Sequence, residues 1–419
     1  MAVFAALLLR VNKRGEVVTH RRCHLFPMST RAGVTKTAKE ALICKSSSLL
    51  LTDDSGGLQK PRMEDGDGVR CRRQNPLLNR IYSSRNQIIH KMIRSCLGML
   101  KSHGVDAVLR MSDPQLLLLG AGVDVTFERL YSKSATIFAV DYAEIMLERE
   151  AALSVIHSKI GSEVCESCFE TNRSSLICAD LCDFSDLWTK LIAAGFDKKC
   201  PTVILIECVL CYIDSSSVQK LLKQLSNHLP QQSILITYDP MVPKPSINFP
   251  LSVLNTRRRS DFAQMIADKF TERNAPIQHN IKSTEMQEKF QKSCGWQYVR
   301  AVNMYTASRS ILTFEERQIL ILAEPFDEFA SLAMLHKLYN VSLASLSEQL
   351  YLSCLNDLNL NKGNVKQTSP CSKVPYSGNA AGRTYQCNQP INKDEAIELL
   401  QLVQRISILE LRLQSIIVR

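Results

Sequence analysis

Leu116-Leu117-Leu118-Leu119-Gly120-Ala121-Gly122-Val123-Asp124 decides how the rest of this chain is read. Four apolar residues are too few for a helix of their own but enough for a buried strand. They run into two glycines one residue apart and then into Val125–Leu130, a segment able to open a helix. Strand, glycine turn and helix is how a doubly wound α/β sheet offers its backbone to an adenosyl cofactor. Val125 stands where the G-x-G-x-x-G pattern has its third glycine. By itself, then, the turn leaves NAD, FAD and S-adenosylmethionine open.

The following segments build a sheet around it. Ala135–Val140 reads as a second strand with Asp141 at its carboxyl end, 21 residues after Gly120. At that spacing a carboxylate meets a ribose diol and accepts two hydrogen bonds; capping a helix over Tyr142–Ser158 is the competing use. Ser174–Ala179, Val203–Ile206 and Ser233–Thr237 read as further strands, ending at Asp180-Leu181, Glu207 and Tyr238-Asp239. Helical patterns at Asp186–Ala194 and Ser216–Leu229 fill the gaps. This alternation predicts an α/β fold, a mostly parallel doubly wound sheet with helices on both faces. Ligands of such sheets sit beyond the carboxyl ends of the strands, where four acids recur. Upstream, Ile88, Ile89, Met92, Ile93, Cys96, Leu97 and Leu100 give an amphipathic helix starting near Arg85. Downstream, helices are expected over Asp261–Arg273, Glu285–Ser293, Glu315–Ala323 and Phe326–Leu343, with His336 on a polar face. A late strand is expected within Gly295–Met304.

Composition narrows the function classes. The 419 residues are 45% hydrophobic and 22% charged, ordinary for a soluble protein with a sizeable core. No apolar run approaches the ~20 residues that span a bilayer, so no membrane role is expected. Met1–Leu9 is apolar, but positive charge follows it, the wrong order for a secretory signal. The expected location is cytoplasmic, with a mitochondrial presequence as the alternative use of the basic start. The net charge of +10 concentrates in residues 1–110, which hold 20 Lys/Arg against 8 Asp/Glu. Aromatics do not interleave with these basic residues, which weighs against nucleic acid and favours a solvated face or the steering of an acidic peptide. Several of the 15 cysteines lie in apolar runs and read as small buried hydrophobes. Cys165-x-x-Cys168 and Cys208-x-x-Cys211 have metal-like spacing. The second pair falls in a strand pattern, however, and the gap between pairs exceeds that of a zinc ribbon, so no metal is expected.

Several blocks resemble the leucine carboxyl methyltransferase family: Pro76-Leu77-Leu78-Asn79-Arg80-Ile81-Tyr82-Ser83-Ser84-Arg85, the run from Leu119 to Leu130, Val140-Asp141, Asp180-Leu181, the run from Pro201 to Tyr212, and Gly295-Trp296. The resemblance spans about residues 76–350. It implies a class I S-adenosylmethionine-dependent methyltransferase that esterifies the C-terminal leucine carboxylate of the protein phosphatase 2A catalytic subunit. By match to the family's motif positions, Arg85 would meet the methionyl carboxylate, Gly120 and Gly122 would form the cofactor turn, and Asp141 would hold the ribose. Asp180 and Leu181 would flank the adenine, Glu207 would lie near the methionyl amine, and Tyr212 would face the substrate. A sister branch acts on a wybutosine precursor in tRNA, and Glu324-Pro325-Phe326-Asp327-Glu328-Phe329 resembles it equally well; the Glu-Cys-Val-Leu wording at 207–210 favours the phosphatase branch. A third reading is a catalytically inactive interaction protein. It is motivated by the heptad-patterned tail and by the family's Gly-Tyr-Trp lid block, which 58–75 is too short to hold after Thr52-Asp53-Asp54-Ser55.

The resulting organisation has a basic, poorly structured region at 1–75 and a methyltransferase domain at 76–357, with a lid-like insertion near 241–260. A linker at 358–393 and a heptad-patterned helix at 394–419 follow. Leu399, Leu402, Ile406, Leu409, Leu413 and Ile416 form the seam, which would seat a coiled-coil partner through 399–416.

Overall fold

The computed structural model describes residues 28–49, 74–102, 113–163, 173–242, 254–317 and 326–361. Cys165, Cys168, the stretch 58–73, most of the 241–260 insertion, the linker from 362 and the heptad tail lie outside the described residues.

The chain opens with α1 (Met28–Leu49) and α2 (Pro76–Ser102). Then come β1 (Gln115–Leu119), α3 (Thr126–Tyr131), β2 (Thr136–Asp141), α4 (Ala143–Glu163), β3 (Ser174–Cys178), α5 (Phe184–Ala193) and β4 (Thr202–Glu207). A 3-10 turn (Leu210–Tyr212), α6 (Ser215–His228), β5 (Ile234–Pro240), α7 (Leu254–Glu272), α8 (Thr284–Ser293) and β6 (Tyr298–Asn303) follow. The described part closes with α9 (Met304–Ser310), α10 (Phe329–His336), β7 (Tyr339–Ser345) and α11 (Glu348–Asp357). The seven strands form one sheet in the order β3-β2-β1-β4-β5-β7-β6. β1 to β5 pair in parallel, while β7 runs antiparallel to both β5 and β6. This is a mostly parallel, doubly wound α/β sheet with helices on both faces, the fold class expected from the sequence.

Every residue of β1 is buried, because helices cover both faces. Leu116 and Leu118 pack on one side with Ile88, Met92 and Ile93 of α2. Leu117 and Leu119 pack on the other with Leu187 and Leu191 of α5 and Leu221 and Leu222 of α6. The order reverses at β1, whose neighbours are β2 and β4, and so a crevice opens beyond its carboxyl end.

Two expectations change. Residues 28–49, read as part of a poorly structured region, form a 22-residue helix. No apolar stripe announces it, because its buried positions include Lys45, Ser47 and Ser48. Polar partners hold it instead: Ser47 Oγ donates to Asn79 Oδ1 at 2.8 Å, and Glu40 meets Arg273 at 2.7 Å. Gly33 permits the close approach, since a Cβ there would lie 2.3 Å from the Asn274 carbonyl oxygen. The second change is at 326–343, expected as one helix. The helix ends at His336, and Tyr339–Ser345 is a strand. Its polar residues are buried and paired across the sheet, Ser342 with Thr237 at 2.6 Å and Asn340 with the Asp239 carbonyl at 3.0 Å. His336 is buried rather than on a polar face.

The glycine turn is held from behind by Arg149 of α4. Its Nη1 donates to the carbonyls of Ala121 and Gly122 at 2.9 and 2.8 Å. Nε and Nη2 grip the Glu128 carboxylate of α3 at 2.8 and 2.7 Å, with both side chains 0% exposed. Removing one partner of a buried pair strands the other charge, at about 3–5 kcal/mol. Arg149→Met is therefore expected to lower unfolding stability by that amount in urea titration. A loss under about 1 kcal/mol would show that the pair is dispensable.

Candidate cofactor and acceptor site

β1 ends where its backbone must turn sharply under β4. Gly120 has φ +70° and Gly122 φ +64°. Gly120 and Ala121 both donate from their amides to the Val140 carbonyl, at 2.9 and 3.0 Å. A Cβ on Gly120 would lie 2.2 Å from a Val209 methyl, whereas one on Gly122 would meet nothing within 4 Å. The first glycine thus serves close packing and the second leaves bare backbone facing the crevice. At the end of β4, Cys208 is also left-handed, with φ +59°, and its amide donates to the Tyr238 carbonyl at 2.6 Å.

A cavity of about 740 Å³ opens here. Of the residues singled out from the sequence, Arg85, Gly120, Gly122, Asp141, Leu181, Glu207 and Tyr212 line it. Asp180 does not. Its Oδ1 accepts from the Cys182 amide at 3.0 Å, shaping the turn that presents Leu181. Asp141 accepts from the Gly122 amide at 2.9 Å and from the Tyr142 amide at 2.7 Å. Its carboxylate therefore braces the glycine turn rather than capping α4 deeper in, and burial pushes its pKa up.

The deepest polar feature is a set of four charges. Arg85 Nε meets Glu207 Oε1 at 2.5 Å, and Lys45 Nζ meets Glu207 Oε2 at 3.0 Å and Asp124 Oδ2 at 3.2 Å. The Arg85 guanidinium also lies 4.5 Å from the centre of the Tyr238 ring. Burial alone would raise the Glu207 carboxyl, but Arg85 and Lys45 outweigh it and hold its pKa at about 2. Burial likewise opposes Lys45 and Thr126 at Asp124, and these neighbours win, lowering that carboxyl too. Lys45 and Asp124 were not assigned from the sequence. Asp124 stood in the quoted turn, and its threonine two residues on was the available signal: Thr126 donates to it through both N–H and hydroxyl, at 3.0 and 2.6 Å. Lys45 had none, since its helix was not expected.

The other end of the cavity is apolar. Leu77, Ile81, Ile266, Phe270 and Leu335 converge there, and Tyr212 stacks on Phe270 with ring centres 5.6 Å apart. Helix α1 forms one wall, with Val34, Thr37 and Ala41.

Residues 34–226 match the family model described as Leucine carboxyl methyltransferase. The chain is similar to that family over this stretch. Among curated relatives, leucine carboxyl methyltransferase 1 of Rattus norvegicus is 24% identical over 332 residues, covering 76% of this chain and 91% of that protein. tRNA wybutosine-synthesizing protein 4 of Rattus norvegicus is 25% identical over 272 residues, covering 61% of this chain. The chain spans 36% of the length of that relative and 43% of its Homo sapiens counterpart. Among solved structures, a duf574 family protein from Streptomyces avermitilis aligns with a TM-score of 0.40 and 11% identity, covering 72% of this chain and 96% of that one.

The residues present fit S-adenosylmethionine as a cofactor. Two buried cations and two buried anions suit a zwitterionic methionyl end: Arg85 and Lys45 would meet its carboxylate, and Glu207 and Asp124 its amine. Asp141, beside bare glycine backbone, would hold the ribose, and Leu181 would offer an apolar surface to the adenine.

Asp141→Ala is expected to weaken S-adenosylhomocysteine binding by about 1–3 kcal/mol through lost charge-assisted hydrogen bonds, measured by calorimetry. Unchanged affinity would leave Asp141 a brace only. The Glu207 pKa is lower in the folded chain than its ordinary 4.5, so its stabilisation is complete above that value and is lost as pH falls towards 2. The stake is on the order of 3 kcal/mol. Glu207→Gln should flatten the stability-versus-pH curve of the ligand-free protein between pH 4.5 and 2; an unaltered slope there would contradict the assignment.

Proposed function

We propose that this protein transfers the methyl group of S-adenosylmethionine to a carboxylate, forming a methyl ester, and that the acceptor is the C-terminal leucine of the protein phosphatase 2A catalytic subunit. The observation that carries this reading is the apolar end of the cavity. Leu77, Ile81, Ile266, Phe270 and Leu335 surround a space suited to a branched aliphatic side chain, next to the charged end.

When bound, S-adenosylmethionine supplies an activated methyl on a sulfonium that is its own leaving group. A carboxylate acceptor is already ionised at neutral pH, and no general base is required of the protein. In keeping with this, no histidine is among the described residues that line the cavity. The protein's own contribution is alignment and exclusion of water. Arg85, Lys45, Glu207 and Asp124 fix the methionyl end, and the glycine turn with Asp141 fixes the nucleoside. Tyr212, half-buried against Phe270 and within hydrogen-bonding reach of Thr37, shapes the acceptor side. Helix α1 supplies a cavity wall in place of the missing lid block, which argues against an inactive interaction protein.

The tRNA-directed reading is supported by the match to the two wybutosine-synthesizing relatives at 25% identity and by the Glu324–Phe329 run. Incubation with labelled S-adenosylmethionine separates the two. A base-labile methyl group should appear on the phosphatase catalytic subunit and disappear when its terminal leucine is deleted. Label on tRNA with none on the phosphatase would decide for the other branch.

A further inference from the structure

Cys208 and Cys211 play no part in the reaction just described. Cys208 is half-buried, lines the cavity and directly follows Glu207. Cys211 lies one 3-10 turn later and is fully buried. The Cys211 thiol and the Tyr212 hydroxyl are within hydrogen-bonding reach of the Cys208 sulfur, and the Arg85 guanidinium faces it. The bond from Cys211, with help from Arg85, lowers the Cys208 thiol to about 7 against the opposing effect of burial. Burial and the same bond push Cys211 the other way. Asp239, the strand-end acid without a place in the cofactor site, closes the cluster from behind. Its Oδ1 accepts from the Cys211 amide at 3.2 Å, and its buried Oδ2 has no hydrogen-bond partner. A reachable thiolate followed three residues later by a buried thiol is the arrangement that thiol–disulfide exchange uses. A metal use fits less well, since no group of three or more ligating side chains occurs among the described residues.

We propose that Cys208 and Cys211 form a dithiol that a low-molecular-weight disulfide oxidises to an intramolecular disulfide, and that the oxidised protein binds its cofactor less tightly. The Cys208 thiolate attacks one sulfur of the reagent, whose S–S bond breaks and releases one thiolate. The Cys211 sulfur then attacks Cys208 in this mixed disulfide, and the second reagent thiol leaves with the Cys211 proton. The pair loses two electrons, and the reagent gains them as its two thiol products. The turn that must adjust carries Val209, whose methyl sits where a Cβ on Gly120 would be, and Tyr212 on the acceptor side. The pair therefore works at the point where β4 supports the cofactor turn.

The proposal rests on the cofactor reading of the cavity, and its test keeps the two apart. The full chain is equilibrated with reduced and oxidised glutathione, then mapped by non-reducing peptide mass spectrometry and titrated with S-adenosylhomocysteine. A peptide linking Cys208 to Cys211 is expected, with affinity at least tenfold lower than in the reduced protein and restored by dithiothreitol. Cys211→Val should bind like the reduced wild type, form no internal link and accumulate glutathione on Cys208. Reduced wild type that fails to bind S-adenosylhomocysteine would overturn the cofactor reading. Reduced protein that binds, with no linked peptide or no change of affinity on linkage, overturns the dithiol proposal. So does a loss of affinity in oxidised Cys211→Val equal to that of the wild type without glutathione on Cys208, because other cysteines would then be responsible.

Discussion

The site depends on a guanidinium that never touches it. Arg149 reaches from α4 under the glycine turn, bonding two carbonyls with one nitrogen and the Glu128 carboxylate with the other two. A left-handed turn directs carbonyls inward that no strand or helix can satisfy, and leaving them bare in the core would cost about 1–3 kcal/mol each. A planar cation with five donors can serve two carbonyls and a carboxylate at once, which an ammonium could not do with the same geometry. The turn, α3 and α4 are thereby fixed as one unit, and bare backbone is free to face the crevice.

Above that floor, the four charges solve a related problem. Lys45, Arg85, Asp124 and Glu207 sum to zero and satisfy one another in the absence of ligand. Separate burial of any of them would be expensive. A zwitterionic ligand end could exchange partners with this set without changing its total charge. Because Lys45 belongs to α1, the docking of that helix and the neutrality of the pocket are one event.

Much of this was legible in the sequence. The five parallel strands stood out as short apolar runs, each ending at an acid or a glycine, and their alternation with helices fixed the fold class. What escaped detection was held by polar contacts. Helix α1 buries Lys45, Ser47 and Ser48, and a search for apolar stripes passes over such a helix. Strand β7 carries Asn340, Ser342 and Ser345 inside the core, each answered by a specific neighbour, and so lacks the apolar run of its companions. Asp180, also an acid at a strand end, shapes the turn that presents Leu181 and does not itself line the cavity. Arg149 had no local signal at all, because its partners are remote in sequence.

Strand β7 also governs the order in which the molecule can be built. β6 leaves the ribosome first, yet it pairs in the sheet only with β7, which in turn needs the edge of β5. Until residues 339–345 arrive, β5 presents an open row of amides and carbonyls, and β6 has no place to dock. Such edges pair with other chains when left uncovered, and non-local closures of this kind are slow. A nascent chain stopped before Ser345 therefore lacks two strands rather than one. The last of the described strands is the keystone that completes the seven-stranded sheet.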